Sequence, residues 1–248
     1  MQSISAETAA SDRFFIEGPG PKAWIHNYLQ PSRTHLDGTP RSAGEELPMI
    51  YLVDQEPNSA IRTHFHQVDQ FQIVVGGSGA MGNTPLAPIT VHYTTAYTGY
   101  GPLRAGPEGL QYLTIRNRWD PGHRYLPECK DELPAAGTVK QRQRTTKPRG
   151  IQSCQALHAL DAPAVCHLID EPESGANAWM LSLPPLSAAP SFTSDDSDRV
   201  IVVCAGNLHG SDANGLHSCH FVPAGETIEV EAGPDGADLL VLQFRTSR

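Results

Sequence analysis

The chain has 248 residues, 39% of them hydrophobic, and its 22 glycines and 21 prolines are typical of many short strands joined by tight turns. Its formal net charge of -9, with no aromatic residues interleaved in its basic stretch, argues against nucleic acid or an anionic membrane as a partner. Because it has no long apolar run, no apolar signal core and no CxxC spacing among five cysteines, we expect a reduced, cytoplasmic protein.

Residues 1–46 are predicted to form an N-terminal arm with covering strands. Met1–Asp12 is rich in small polar residues and is expected to be a loose arm. Phe14–Ile16 and Trp24–Leu29 are apolar islands that could add edge strands, and the remainder reads as loop.

Residues 47–119 read as a run of short strands without any long amphipathic helix. β-Branched and aromatic residues are concentrated in each predicted strand, and glycine-rich turns separate the strands. The predicted strands are Met49–Val53, Gln70–Val75, Ile89–Tyr97 and Leu110–Ile115.

Two histidines stand two residues apart between the first two of these strands. On a strand, His64 and His66 share a face, with Cα atoms about 7 Å apart. On a straight strand, Gln70 would lie roughly 13 Å from His66. At that distance the two side chains could not bind the same metal ion. A turn at residues 67–69 removes this difficulty, so the spacing predicts two antiparallel strands that bring His64, His66 and Gln70 to one point.

The pattern His64-x-His66, Gln70 and then Gly76 or Gly77 resembles the first motif of the cupin superfamily. Gln stands where many cupins have Glu. The resemblance implies a jelly-roll barrel with a divalent metal ion of Fe, Mn, Ni or Zn type inside it. The family's fourth ligand is a His near residues 97–102, where this chain has none, and His92 is the nearest substitute. The expected metal ligands are therefore His64, His66, Gln70 and His92.

Aromatic and basic residues on the neighbouring strands are candidates for a substrate pocket. Phenol groups would supply hydrogen bonds, and an arginine would hold a carboxylate. Ordinary strand packing is the alternative for each tyrosine, and a surface position is the alternative for Arg104 or Arg116. The candidate substrate-binding residues are Tyr93, Tyr97, Tyr100, Tyr112 and Arg104.

The second half of the chain repeats the first. Residues 69–77 match residues 198–206, and residues 105–109 match residues 232–236, with separations of 129 and 127 residues.

A proline-rich segment, residues 120–150, is predicted to be a linker and surface excursion. Residues 151–248 would form a second barrel in which Thr193, Asp195 and Arg199 replace the ligand set. His209, His217 and His220 fit no established metal spacing.

The predicted fold class is therefore all-β, with two jelly-roll barrels in one chain, as in a two-domain cupin or bicupin. The resemblance implies a metal-dependent dioxygenase, lyase or isomerase that acts on a small organic molecule in the first barrel. The alternative is a metal-free bicupin that binds a small ligand without catalysis. We also expect a homodimer.

Overall fold

The computed structural model describes residues 1–17, 22–29, 41–135, 137–171, 175–190, 192–193 and 196–245. The chain divides into two compact units. The first unit is Ala10–Arg149, and the second unit combines Met1–Ala9 with Gly150–Arg248. None of the helices in the described ranges has the length and apolar character that a membrane crossing requires.

Strands make up most of the regular structure, as the turn-rich sequence predicts. The helices are α1 (Ala6–Ser11), α2 (Cys154–His158) and a 3-10 turn at Lys130–Glu132. The strands are β1 (Gln2–Ile4), β2 (Arg13–Ile16), β3 (Ala23–Leu29), β4 (Met49–Gln55), β5 (Ala60–Ile61), β6 (His64–Phe65), β7 (Gln70–Met81), β8 (Thr84–Leu86), β9 (Val91–Thr94), β10 (Leu103–Arg116), β11 (Arg124–Tyr125), β12 (Gln143–Thr145), β13 (Ala164–Glu171), β14 (Ala176–Leu183), β15 (Phe192–Thr193), β16 (Arg199–Leu208), β17 (Cys219–Val222), β18 (Thr227–Ile228) and β19 (Ala232–Gln243).

The first unit is built on one antiparallel sheet in the order β12-β9-β7-β10-β4-β3-β2, with β5 added to β10 and β8 added to β7. Strands β6 and β11 form a separate two-stranded sheet. Alternate residues of the large sheet point into one apolar core, which includes Ile25, Val53, Val74, Leu103 and Tyr112. The candidate site residues lie where β6 and the start of β7 meet this interior.

The second unit has an antiparallel sheet in the order β1-β17-β16-β19-β14-β13 and a two-stranded sheet of β15 and β18. Its core is assembled from the same face of β14, β16 and β19, including Leu181, Ile201, Val203, Leu239 and Val241. Helix α2 is capped by Ser153, whose hydroxyl accepts a hydrogen bond from the Ala156 amide.

The internal repeat is visible in the strand order. Strands β12, β9, β7, β10, β4 and β3 of the first unit correspond in order to β1, β17, β16, β19, β14 and β13 of the second. Gly77 and Gly206 have φ of 67° and 69°, and a Cβ there would lie 2.2 Å and 2.0 Å from the carbonyl oxygens of Gly109 and Gly236. Only glycine allows these two close strand crossings. The repeated glycines seen in the sequence therefore have the same structural role in both units.

Several predicted boundaries need correction because distant segments pair into the sheets. Met1–Asp12 is not a loose arm, since β1 pairs with β17 of the second unit and α1 follows it. The expectation that Phe14–Ile16 and Trp24–Leu29 add edge strands is confirmed, since β2 and β3 extend the first unit's sheet through β4. The expected linker at residues 120–150 supplies β11 and β12 to the first unit. The short strand β6 pairs with β11 and not with β7.

Candidate functional site

The structure brings His64, His66 and Gln70 together inside the first unit, with exposed fractions of 4%, 6% and 0%. Backbone hydrogen bonds link His64 to Tyr100 in both directions, at 3.1 Å and 3.0 Å, and the His66 carbonyl accepts from Tyr97 at 2.7 Å. The segment 97–100 is thus held against the His-x-His segment. The two imidazole centroids are 5.3 Å apart.

The His64 ring is fixed at both nitrogens. Its Nδ1 lies 2.7 Å from the carbonyl oxygen of Arg62, so Nδ1 carries the proton and donates it. Its Nε2 is then the acceptor for the Tyr100 hydroxyl at 2.9 Å. Burial, together with the nearby His66, lowers the pKa of His64 well below its ordinary value, which keeps this ring neutral.

Tyr100 stands in the segment where the cupin resemblance places a fourth ligand, and it connects His64 to Gln70. The Gln70 side-chain amide donates a hydrogen bond to the Tyr100 hydroxyl oxygen. Burial raises the pKa of Tyr100, so the hydroxyl keeps its proton and donates it to His64. The Tyr100 hydroxyl is therefore hydrogen-bonded to two of the expected metal ligands, His64 and Gln70.

His66 is oriented by Asp120, a residue that sequence reasoning placed in a linker. The Nδ1–H of His66 donates to Asp120 Oδ1 at 2.7 Å. The backbone amides of Gly122 and Gln67 donate to Oδ1 and Oδ2 at 2.8 Å and 2.9 Å. Although burial by itself would raise the pKa of Asp120, His66, Arg116 and these amides hold it below its ordinary value. Asp120 is therefore a buried carboxylate.

The guanidinium of Arg116 lies among the expected metal ligands. Arg116 ends β10 and is 1% exposed. Its Nη2 lies 3.1 Å and 3.2 Å from the two ring nitrogens of His66, Nε2 and Nδ1, and 2.9 Å from Gln70 Oε1. Its Nε lies 3.2 Å from the same amide oxygen. Its Nη1 donates to the Tyr51 hydroxyl at 2.9 Å. Burial would lower the pKa of Arg116, but Tyr51, Asp120 and Tyr100 together raise it, so a permanent positive charge is buried here.

These contacts do not fit a divalent metal ion. His64 Nε2 is bonded to Tyr100, and His66 Nε2 and Gln70 Oε1 both face the Arg116 guanidinium. A cation held by these atoms would lie beside a fixed positive charge with no carboxylate among its ligands. In the part of the chain that the structure describes, no group of three or more His, Cys, Asp or Glu side chains is arranged to hold a metal ion.

The exposed His123 lies next to this cluster. The His123 ring is 6.0 Å from the His64 ring and 4.4 Å from the half-buried Tyr125 ring, measured between centroids. Strand β11, which pairs with β6, positions Tyr125. A small molecule that enters beside His123 would meet His64 first.

His92 lies next to the cluster but is held away from a shared ligand position. Its ring is 5.1 Å from that of Tyr100, and its Nδ1 hydrogen-bonds the Thr145 hydroxyl of β12 at 2.8 Å. Together with Gln72, it lines a cavity of about 10 Å³. Among the described residues, His92 Nε2 and Gln72 Oε1 have no hydrogen-bond partner. The cavity matches one water molecule, which would satisfy both atoms. That His92 replaces the fourth metal ligand stays a prediction.

The burial of His92 predicts acid sensitivity. Burial lowers the pKa of His92 to about 4, with a smaller opposing effect from the Arg144 backbone. As the pH falls below about 6.5, His92 therefore binds a proton in the unfolded chain before it does so in the folded chain. The stability that neutral His92 contributes is complete above that pH and is lost between about 6.5 and 4, at about 1.4 kcal/mol per pH unit.

We expect His92→Gln to flatten the dependence of unfolding free energy on pH in this window, measured by urea denaturation at a series of pH values. The exposed His158 provides the control, since His158→Gln should leave the slope unchanged. An unchanged slope in His92→Gln would contradict the assignment.

The other predicted substrate residues are placed differently. Tyr93 points away from the cluster, donating to Asp69 at 2.8 Å and packing on Phe71. Tyr97 packs on Phe65, 6.1 Å between ring centroids. Arg104 is exposed, and its Nη1 donates to the Gly82 carbonyl at 3.3 Å. Tyr112 belongs to the core and lines the small cavity beside His92. Of the five, Tyr100 bonds His64 and Gln70 through its side chain, and Tyr97 contacts the His66 carbonyl through its backbone amide. Substrate binding by these residues stays a prediction.

Sequence reasoning missed Asp120 and Tyr51 as members of the cluster. The placement of Arg116 could have been predicted from the sequence, because it follows Tyr112 and Thr114 at a spacing of two on a buried strand and so shares their face. Asp120 had none, since it lies beyond the strand and beside a Pro-Gly pair that reads as a turn. Only the folded chain shows its contact with His66.

The comparisons with known proteins support the fold. No protein-family model and no curated protein matches the chain. A candidate dioxygenase from Nostoc punctiforme matches 99% of this chain and 82% of its own, with 14% identity and a TM-score of 0.65. An oxalate decarboxylase matches 100% and 78%, with 11% identity and a TM-score of 0.61. Bacillus subtilis oxalate decarboxylase, described with Mn(II) centres, matches 100% and 78%, with 12% identity and a TM-score of 0.58.

At these identities the likeness concerns the fold. The predicted all-β jelly-roll class is confirmed.

Proposed function

We propose that this chain is a two-domain cupin whose first unit binds a small organic carboxylate without a metal ion. The observation that carries the proposal is the Arg116 guanidinium, 3.1 Å from His66 Nε2 and 2.9 Å from Gln70 Oε1, where the resemblance places a metal. In this account the second unit is a degenerate repeat.

The charge facing the site favours an anion. The oxygens of Asp120 accept from His66 and from two backbone amides, so this carboxylate is already committed. The Arg116 guanidinium instead donates to a neutral amide oxygen and to the Tyr51 hydroxyl. A carboxylate is a stronger acceptor than an amide for the planar guanidinium. A ligand carboxylate would therefore take the place of Gln70 as the partner of Arg116.

The arrangement also offers a proton acceptor. Asp120 holds His66 with its proton on Nδ1, which leaves Nε2 as the basic nitrogen of a ring that Arg116 contacts. When a ligand draws the guanidinium toward itself, Nε2 becomes available to accept a proton from that ligand. Acid–base chemistry on a bound carboxylic acid is therefore within reach of these residues.

The fold neighbours suggest a first probe. One of them is an oxalate decarboxylase, and its name identifies a small dicarboxylate as its substrate. Because the likeness is one of fold, oxalate comes to this chain as a test ligand of the right charge and size.

A metal-dependent enzyme is the second candidate, and one observation favours it. The Nδ1 atoms of His64 and His66 are held by a carbonyl and a carboxylate, as in metal-binding histidines, which directs both Nε2 atoms inward. In that case His64, His66 and Gln70 would hold Fe, Mn, Ni or Zn after Arg116 had moved away.

The two candidates separate by metal analysis and oxalate titration of the same purified protein. We expect no stoichiometric Fe, Mn, Ni or Zn after expression in supplemented medium, and saturable oxalate binding by calorimetry that a chelator does not change. One tightly bound metal per chain, or oxalate binding that a chelator abolishes, would move the assignment to the metal-dependent enzyme. If oxalate, formate, acetate and malonate all failed to bind, the proposed carboxylate site would be contradicted.

A further inference from the structure

The sheet of the second unit ends at an edge that has no strand beside it among the described residues. The strand order there is β1-β17-β16-β19-β14-β13, and β13 pairs only with β14 in the described ranges. In the first unit the counterpart of β13 is β3, and β2 pairs with the outer edge of β3. Within the part of the chain that the structure describes, the second unit therefore lacks the strand that completes the first unit.

The register identifies the residue that this missing strand would cover. Ile25 of β3 pairs with Val53 of β4, and Val165 of β13 pairs with Leu181 of β14. Val53 and Leu181 are themselves equivalent, because they pair with equivalent residues of β10 and β19. Val165 is therefore the counterpart of Ile25.

The exposure of these two side chains follows the presence or absence of the added strand. Ile25 pairs with Phe14 of β2 and is 3% exposed. Val165 is 49% exposed. Burial of an apolar side chain is favourable, so the edge of β13 is a surface that a further strand would stabilise.

The outermost strands of the two sheets differ in their protection against pairing. In the first unit β2 has 4 residues, and the Arg13 guanidinium at its start lies 4.8 Å from the Trp24 ring centroid. Short edge strands that carry a basic residue resist pairing with another chain. In the second unit β13 has 8 residues and contains neither lysine nor arginine. An edge of this length is suited to main-chain pairing.

A β-bulge determines how the polar side chains of β13 are arranged. His167 pairs with Trp179 and Asp170 pairs with Asn177, while the register shifts between His167 and Ile169. Residues 177 and 179 share a face of β14 because they lie two apart. The bulge therefore places His167 and Asp170 on one face of the sheet, and both side chains are exposed.

We propose that the edge of β13 pairs with the same edge of a second copy of the chain, antiparallel and about a two-fold axis. With Leu168 opposite the partner's Ile169, His167 lies opposite the partner's Asp170 on the same face. The imidazole N–H donates to the carboxylate, and the two-fold axis makes this contact twice. Parallel pairing would instead place the two Asp170 carboxylates side by side. One antiparallel interface therefore supplies the missing strand to both second units and matches their polar side chains.

Analytical ultracentrifugation of the full chain tests the dimer. We expect a monomer–dimer equilibrium at micromolar concentrations. Hydrogen exchange of residues 164–171, followed by mass spectrometry, should slow as the fraction of dimer rises, whereas exchange in β2 should not change. A chain that stays monomeric throughout the micromolar range would overturn the proposal. So would slow exchange of residues 164–171 in the monomer, because another segment would then cover the edge.

A charge exchange assigns the dimer to this edge. His167→Asp places two carboxylates opposite each other at both contacts and should weaken the dimer about tenfold, and Asp170→His should weaken it about threefold. The double variant restores the pair in reverse and should return the dissociation constant to within about twofold of wild type. Asp235→His, at an exposed acid outside β13, is the matched control and should change nothing. Unchanged dimers in both single variants, or no recovery in the double variant, would refute pairing through this edge.

Discussion

Replacement of Arg116 by leucine is expected to create a metal site in the first unit. The wild-type guanidinium contacts both His66 Nε2 and Gln70 Oε1. A divalent ion beside this fixed positive charge would be repelled by it. Leucine removes the charge and frees two ligand atoms, while the bonds that orient His64 and His66 remain. We expect Zn²⁺ or Ni²⁺ to bind Arg116→Leu about a hundredfold more tightly than wild type, as measured by calorimetry.

The matched control lies on the same strand. Arg104 is exposed on β10 and donates to the Gly82 carbonyl, so Arg104→Leu should leave metal affinity unchanged. Arg116→Gln provides a second neutral variant if leucine lowers the yield of folded protein. Equal metal affinity in wild type and in both Arg116 variants would show that the guanidinium does not exclude the ion.

Removal of the Asp120 carboxylate is expected to destabilise the first unit by about 3–5 kcal/mol. Asp120→Ala removes the acceptor of the His66 Nδ1–H and of the amides of Gln67 and Gly122. It also leaves the positive charge of Arg116 buried without a nearby anion, which is the larger part of the cost. Urea denaturation followed by the fluorescence of the tryptophans, which include the buried neighbour Trp119, would measure the loss.

A double-mutant cycle with Arg116→Leu isolates the charge effect. The double variant should lose about 1–3 kcal/mol less than the sum of the two single variants, because no unpaired charge is left. Asp131→Ala, at an exposed acid in the 3-10 turn, should change stability by less than about 0.5 kcal/mol. Strict additivity of the two single changes would mean that Asp120 and Arg116 do not compensate each other.

Low pH should reproduce part of the Asp120 effect. The pKa of Asp120 is held below its ordinary value mainly by His66 and Arg116, against the effect of burial. The stability it contributes is therefore complete above about pH 4 and is lost as the pH falls through the lower folded-state pKa. The stability due to Asp120 is lost below about pH 4, whereas the stability due to His92 is lost between about pH 6.5 and 4. The two contributions can therefore be measured separately.

The sequence by itself determined the class of the fold and the core of the first cluster. Alternating apolar residues and glycine-rich turns have a period of two and specify antiparallel strands. The repeated glycines at 77, 109, 206 and 236 mark strand crossings that only glycine permits, so the repeat was readable. The spacing of His64, His66 and Gln70, interpreted with the strand period of two, predicted that these three side chains meet at one point.

Tertiary structure decided what occupies that point. Arg116 and Asp120 lie 46 and 50 residues beyond Gln70, and their contacts depend on sheet closure and not on strand period. Likewise β1 joins β17 across most of the chain, which no local pattern indicates. Period and propensity are local quantities, whereas these contacts are set by pairings over long distances in sequence.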